Sequence, residues 1–241
     1  MQIIHAYWEK RNIGVDCQEL NVEAGDSVAQ IADALGGLSA EYQVARVPSG
    51  MTDALFYLQD NGFKTVELNI QFEKKMDKKP ELPEQYRRFE KHIAYHPADK
   101  DEIESALKAI ETGGVFVTDK VACDPFFSPK HAGRRYALWA KDLIDKGSRF
   151  YICTYKGEKV GFNMNTDKGD YFDAFLGGLL PDAKRSGLGF LPLYANLSTI
   201  YEQGGRWMKT GVSSNNLPII KLHEAFGCTI SGMSYVLIKH L

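Results

Sequence analysis

The chain has 241 residues, 44% of them hydrophobic and 25% charged, with a formal net charge of -2. That length and apolar content suffice for a sizeable core, while the near-neutral balance leaves no general basic field and argues against nucleic acid as the main partner. No apolar run approaches the ~18 residues of a membrane span, and residues 1–11 lack the apolar core of a signal peptide, so a cytoplasmic protein with no membrane partner is expected.

Residues 42–46 read as a strand, 51–60 as a helix closed by Asn61-Gly62, and 63–72 as another strand. Residues 74–84 are charged, carry two prolines and lack apolar periodicity. They mark a surface connector and a boundary near residue 80, dividing the chain into a smaller N-terminal α/β domain, 1–80, and a second domain, 81–241. Residues 54–63 echo 219–228 as a helix followed by a glycine turn; the echo is either a degenerate half-copy of one fold or any amphipathic helix with a glycine cap.

Beyond the connector, 99–112 is an amphipathic helix with Ile103, Leu107 and Ile110 on one face, ended by Gly113-Gly114, and 136–145 is a second helix. Residues 149–155 and 159–165, joined by Lys156-Gly157-Glu158, form a hairpin. A strand over 171–180, a helix over 189–203, a strand over 206–212, a helix over 217–226 and a closing strand over 234–239 complete the pattern. Cys17, Cys123, Cys153 and Cys228 are widely spaced with no Cys-x-x-Cys pair, which indicates neither zinc nor a disulfide framework, and Cys153 is expected to pack as a small hydrophobe.

The richest segment is Leu179-Leu180-Pro181-Asp182-Ala183-Lys184-Arg185-Ser186-Gly187-Leu188-Gly189. A strand end, a proline break and Gly-x-Gly at a helix start direct unpaired N–H groups and the positive end of the helix dipole at one point, where glycines let an anion approach the backbone. Neither Gly-x-Gly-x-x-Gly nor Gly-x-x-x-x-Gly-Lys-Ser/Thr is present, which excludes the dinucleotide and P-loop fingerprints. The basic residue, two spacers, Gly, one spacer and Gly resemble the Q/R-x-x-G-x-G/A motif of the GNAT acyltransferase superfamily. Lys184 stands where that family usually has Gln or Arg, keeping the charge and losing the fork geometry. Asn216 lies 27 residues beyond Gly189 and opens a stretch, to Cys228, similar to the family's N-x-x-A-x-x-L-Y-x-x-x-G-F helix, with Ile219, Leu222 and Gly227 in register.

The resemblance implies the GNAT fold, a mixed, mostly antiparallel twisted sheet flanked by helices, with a smaller N-terminal α/β domain like a degenerate half-GNAT. It implies acyl-CoA, acetyl or longer, as cosubstrate and no metal. The cofactor would be held by Leu179, Leu180, Lys184, Arg185, Ser186, Gly187, Leu188, Gly189 and Asn216, with the pantetheine arm between the strands ending at Leu180 and Val212. The N–H near Leu179 would polarise the thioester carbonyl, an oxyanion contribution worth ~3 kcal/mol.

Residues 119–129 and 133–139 further resemble the substrate-side loop and helix of nucleotide-sugar N-acyltransferases of the TDP-fucosamine acetyltransferase type, as do Trp8-Glu9 and Ile13-Gly14-Val15. This implies transfer to the amine of a TDP-linked amino-dideoxy sugar for surface polysaccharide or O-antigen synthesis. Phe126 and Phe127 would stack on the base or sugar, and Arg134 or Arg135 would meet the diphosphate; the alternative is an aromatic plug over the core with the arginines on a helix surface. His223 stands where the family carries a tyrosine acid, and an imidazole can protonate the departing thiolate; alternatively it is a pocket histidine. Asp173 is a candidate base, or an ordinary hairpin acid. Another acceptor (a protein N-terminus, a lysine or a small molecule) and a non-catalytic acyl-CoA sensor stay open, as does a homodimer.

Overall fold

Residues 1–112, 114–184 and 186–241 are described by a computed structural model. Gly113, at the expected helix end, and Arg185, in the expected anion loop, lie outside the described residues.

Among the described residues, ten strands form one sheet, in which residues 42–48, 149–155 and 158–167 are largely buried on both faces. From one edge the order is β1 (Gln2–His5), β2 (Cys17–Asn21), β3 (Tyr42–Pro48), β10 (Thr229–His240), β4 (Lys64–Lys75), β9 (Trp207–Ser213), β8 (Phe172–Leu179), β7 (Glu158–Asp167), β6 (Arg149–Tyr155) and β5 (Ile93–Pro97). Among the described residues, only β2 with β3 and β8 with β9 run parallel. Among the described residues, seven α-helices flank it: α1 (Trp8–Ile13), α2 (Val28–Gly36), α3 (Thr52–Asp60), α4 (Lys100–Thr112), α5 (Pro129–Asp145), α6 (Leu191–Glu202) and α7 (Leu217–Ala225). This mixed, mostly antiparallel sheet with helices on its faces is the architecture expected from the sequence.

The central interleaving has no counterpart in the sequence reading. The last strand, β10, pairs with β3 on one side and β4 on the other, and β4 in turn pairs with β9. A constant offset of 165 residues relates the two sides: Tyr42 and Trp207 begin β3 and β9, Thr52 and Leu217 begin α3 and α7, and Lys64 and Thr229 begin β4 and β10. Register follows the same rule, with Ser234 opposite Pro48 and Asn69 opposite Ser213. Gly62 and Gly227, at equivalent helix ends, both take positive φ, at 87° and 69°, the left-handed conformation glycine adopts without penalty.

One difference separates the sides. The parallel pair β2/β3 is bonded along its whole length, from Cys17 with Tyr42 to Asn21 with Arg46. The pair β8/β9 is bonded only at Phe172 with Met208 and Asp173 with Lys209, and then opens.

α6 packs on β7 and β8 through Leu191, Tyr194, Ala195 and Leu197, with α7 and residues 84–92 completing that core. On the opposite face, α4 and α5 cover β6 to β8. Ser128 and His131 form a capping box at the start of α5, and Pro129 occupies its first turn, so the helix begins seven residues before the apolar periodicity signalled it. The segment after β4 is no bare connector: Met76 and Leu82 are buried in the α6 core, two apolar anchors too sparse to register as a period. α4 and α5 meet at Gly133, where an added Cβ would fall on the carbonyl of Glu111. Gly133→Ala is therefore expected to cost about 1–3 kcal/mol, measured as a lower urea midpoint at unchanged slope.

Candidate active site

The opening between β8 and β9 is part of a cleft of about 1410 Å³. Its construction starts from the register. Leu180 N–H donates to the Val160 carbonyl at 2.9 Å, so the alternation of an antiparallel ladder turns the N–H of Leu179 away from β7 and into the gap. Thr210 closes the bottom of the gap by donating its hydroxyl to the Ala174 carbonyl at 2.6 Å.

At the carboxyl end of β8 the chain makes one 3-10 turn, Pro181–Ala183, and enters the glycine loop. Leu188 is buried in the α6 core and anchors the loop, while Ser186 Oγ accepts from Leu188 N–H at 3.2 Å. Lys184 Nζ donates to the Gly114 carbonyl at 2.8 Å, tying the loop to the segment after α4. The N–H groups of Gly187, Gly189 and Phe190 have no acceptor among the described residues. A Cβ at Gly187 or Gly189 would meet nothing within 4 Å. Free donors at the start of α6, next to open space, suit a diphosphate. Leu179, Lys184, Gly189 and Asn216 line the cleft; Leu180, Ser186 and Leu188 hold the loop's shape.

His223 lines the same cleft. It is 6% exposed, its ring stacks on Phe72 at 4.9 Å, and Nδ1 lies 2.8 Å from the Ile219 carbonyl. A carbonyl only accepts, so Nδ1 carries the hydrogen and Nε2 of the neutral ring is a bare acceptor. Burial pulls the pKa below the ordinary histidine value. Near neutral pH the ring therefore lacks the proton that direct donation to a thiolate requires.

The other expected side chains fall elsewhere. Asp173 sits on the last bonded rung of β8/β9, outside the cleft lining, with burial pushing its carboxyl up. Phe127 is buried edge-on against Tyr42 at 5.2 Å, and Phe126, 63% exposed, stacks on His240 at 4.2 Å. His240 is in turn fixed by Asp124 at 2.7 Å. Phe127 packs with Tyr42, Ile238, Ile13 of α1 and Ala132 of α5, and neither phenylalanine lines the cleft. Arg134 is exposed on α5, also outside it. Arg135 does line it, held by Glu9 at 2.7 Å and Asp119 at 3.3 Å.

The wall that completes the cleft joins Glu9, Asp119 and Lys120, from the segments compared above with a substrate side, to Glu19, Arg46 and Glu67, which the sequence reading did not single out. The one available signal was β4, whose residues 67, 69, 71 and 73 are all polar on one face. Such a face ordinarily looks to water; here Glu67 and Asn69 look into the cleft. Among the described residues, no helix is long and apolar enough to cross a membrane.

No family model matches the chain, and no curated protein sequence matches it. Its backbone is similar to several solved structures. A GCN5-related N-acetyltransferase from Sphaerobacter thermophilus superposes with a TM-score of 0.59 at 15% identity, over 88% of this chain and 64% of that one; the chain thus spans less than two thirds of that protein. A GCN5-related N-acetyltransferase from Kribbella flavida gives 0.56 at 14% identity, over 93% and 81%. A tandem GNAT protein from the clavulanic acid biosynthesis pathway gives 0.55 at 12% identity, over 93% and 75%. The chain has the GNAT fold.

Proposed function

We propose that the chain is an N-acyltransferase that moves an acyl group, acetyl or longer, from coenzyme A to an amine. The observation that carries this reading is the conjunction, in one cleft, of the β8/β9 gap, Gly189 with its uncommitted N–H at the start of α6, and the buried imidazole of His223. The loop suits the diphosphate, the gap suits an extended pantetheine arm bonded to the free edge of β8, and Leu179 N–H faces the region where the thioester carbonyl would gain charge.

Acyl transfer from a thioester to an ammonium releases two protons from nitrogen and returns one to sulfur. After the first proton has left, the amine attacks the carbonyl carbon. His223 Nε2, an acceptor in the tautomer fixed by Ile219, takes the second proton as the C–N bond forms and passes it to sulfur as the C–S bond breaks. This makes the histidine a shuttle, which needs no protonated ring at the outset.

In this reading the N-terminal side of the sheet is a degenerate copy of the C-terminal side, an interpretation supported by the 165-residue offset of matched elements, and it has no acyl-CoA slot of its own because β2/β3 stays bonded. A TDP-linked amino-dideoxy sugar remains the acceptor that the sequence resemblance points to. Of the residues expected to hold it, Arg135 alone lines the cleft, and Glu9 and Asp119 already engage its guanidinium. Purified protein mixed with acetyl-CoA and longer acyl-CoAs, against nucleotide-linked amino sugars, polyamines and peptide amines, is expected to release free thiol with at least one acceptor. Coenzyme A binding without thiol release across the panel would instead identify an acyl-CoA sensor.

A further inference from the structure

The cleft does not end at the thioester region. It continues onto the wall supplied by α1, β2 and β4 and the segment after α4, where four carboxylates gather. Three of them already have cations. Glu9 and Asp119 share Arg135, and Glu19 binds Lys120 directly, with Arg46 at 3.8 Å. Those cations outweigh the effect of burial and hold the Glu19 carboxyl down to about 2.

Glu67 is the exception. It is 8% exposed, makes no ion pair among the described residues, and its Oε2 has no hydrogen-bond partner. A carboxylate withdrawn from water in this way is costly until a proton or a cationic ligand reaches it. Its position follows from the interleaved strands: Asn69 pairs with Ser213 at the end of β9, and Glu67 is two residues further along the same face of β4, beyond the mouth of the gap. Glu67, Asn69, Ser213 and His223 line one cleft.

Resting on the acyl-transfer reading above, we infer that the acceptor is a primary amine that docks as its ammonium against Glu67, and that this carboxylate takes the first proton from nitrogen before attack. The step balances: an N–H bond breaks and an O–H bond forms on Glu67, the neutral amine adds to the thioester carbon, His223 carries the second proton to sulfur, and Glu67 returns its proton to solvent. Burial pushes the Glu67 carboxyl up, against the pull of the Ser213 hydroxyl, Arg46 and Lys120 and with the help of Asp119, which strengthens it as a base. Cys123 and Tyr136 also sense its charge. The N-terminal side of the sheet, closed to a second cofactor, thereby supplies the acceptor site.

The test is Glu67→Gln, which keeps the shape and removes a buried charge that makes no direct ion pair among the described residues. With acetyl-CoA and spermidine, ethanolamine, a lysine peptide and a TDP-linked amino sugar as probes, kcat/KM at pH 7 for the amine that wild type uses is expected to fall ~100-fold. The deficit should shrink as pH rises toward the amine's own pKa, because free amine no longer needs a base. Coenzyme A affinity, measured by calorimetry, should stay within ~2-fold, as expected of a group that acts after cofactor binding. Glu67→Asp, with the carboxylate drawn back by one methylene, should lie between wild type and Gln and keep the wild-type pH profile. Turnover by Glu67→Gln within ~2-fold of wild type at pH 7, or an equal deficit at every pH, overturns the assignment and leaves acyl transfer standing. Acetyl-CoA bound by wild type with no thiol released from any of these amines also overturns it. Failure of wild type to bind coenzyme A removes the reading beneath it.

Discussion

Gly189→Glu is expected to raise the dissociation constant for coenzyme A at least ~100-fold while leaving the fold intact. Gly189 lines the cleft, an added Cβ there meets nothing within 4 Å, and its φ is not left-handed, so the side chain is accommodated without strain and stability should move by no more than ~0.5 kcal/mol. Its carboxylate would lie beside the N–H groups that face the diphosphate. Two unit charges ~4 Å apart at an effective dielectric near 20 repel by about 4 kcal/mol; screening removes part of that, and the remainder still exceeds two decades in affinity. Gly189→Ala, which adds bulk without charge, should weaken binding far less. Calorimetric titration of both variants at two salt concentrations separates the terms, since only the glutamate penalty shrinks with added salt. Equal affinities for wild type and Gly189→Glu would move the diphosphate away from this loop.

His223→Phe is expected to lower turnover ~100-fold, the usual size of one positioned proton-transfer group, with coenzyme A affinity unchanged. Phenylalanine is the informative replacement because His223 is nearly buried and stacked on Phe72. Alanine would lose the ring as well as the nitrogen and add a cavity cost to the readout. His223→Ala should show the same kinetic loss together with a lower unfolding midpoint. If His223→Phe turns over at the wild-type rate, the imidazole has only a packing role and the thiolate is protonated by solvent.

The C-terminal side of the fold was legible in the sequence because its signals are local. The hairpin of β6 and β7 carries its own turn residues, and the β8–loop–α6 unit joins an apolar strand to a proline break and a glycine pair. α7 ends at the glycine the pattern demands. The pairing of residues 54–63 with 219–228 also has the offset that relates α3 to α7 in the fold. The insertion of β10 between β3 and β4 was not legible, because strand partners hundreds of ångströms apart in an extended chain leave no mark on local periodicity. β1, α1 and β2 are too short to show a period, whereas α2, as long as α3, was announced only by the capping box of Ser27 and Gln30.

The site divides along the same line. Leu179, Lys184, Gly189, Asn216 and His223 belong to contiguous motifs and converge on the cleft. Glu67 belongs to no motif, and its role depends on what covers it. Phe126 and Phe127 were conspicuous as a pair, and they lie outside the cleft lining, beside Tyr42 and His240.

A crystal structure of the protein with acetyl-CoA tests the central claim most directly. The diphosphate is expected within hydrogen-bond distance of the N–H groups of Gly187 and Gly189, with the pantetheine arm between β8 and β9 and the thioester beside His223. A cofactor bound elsewhere on the surface, or a β8/β9 gap still empty at saturating acetyl-CoA, would contradict it.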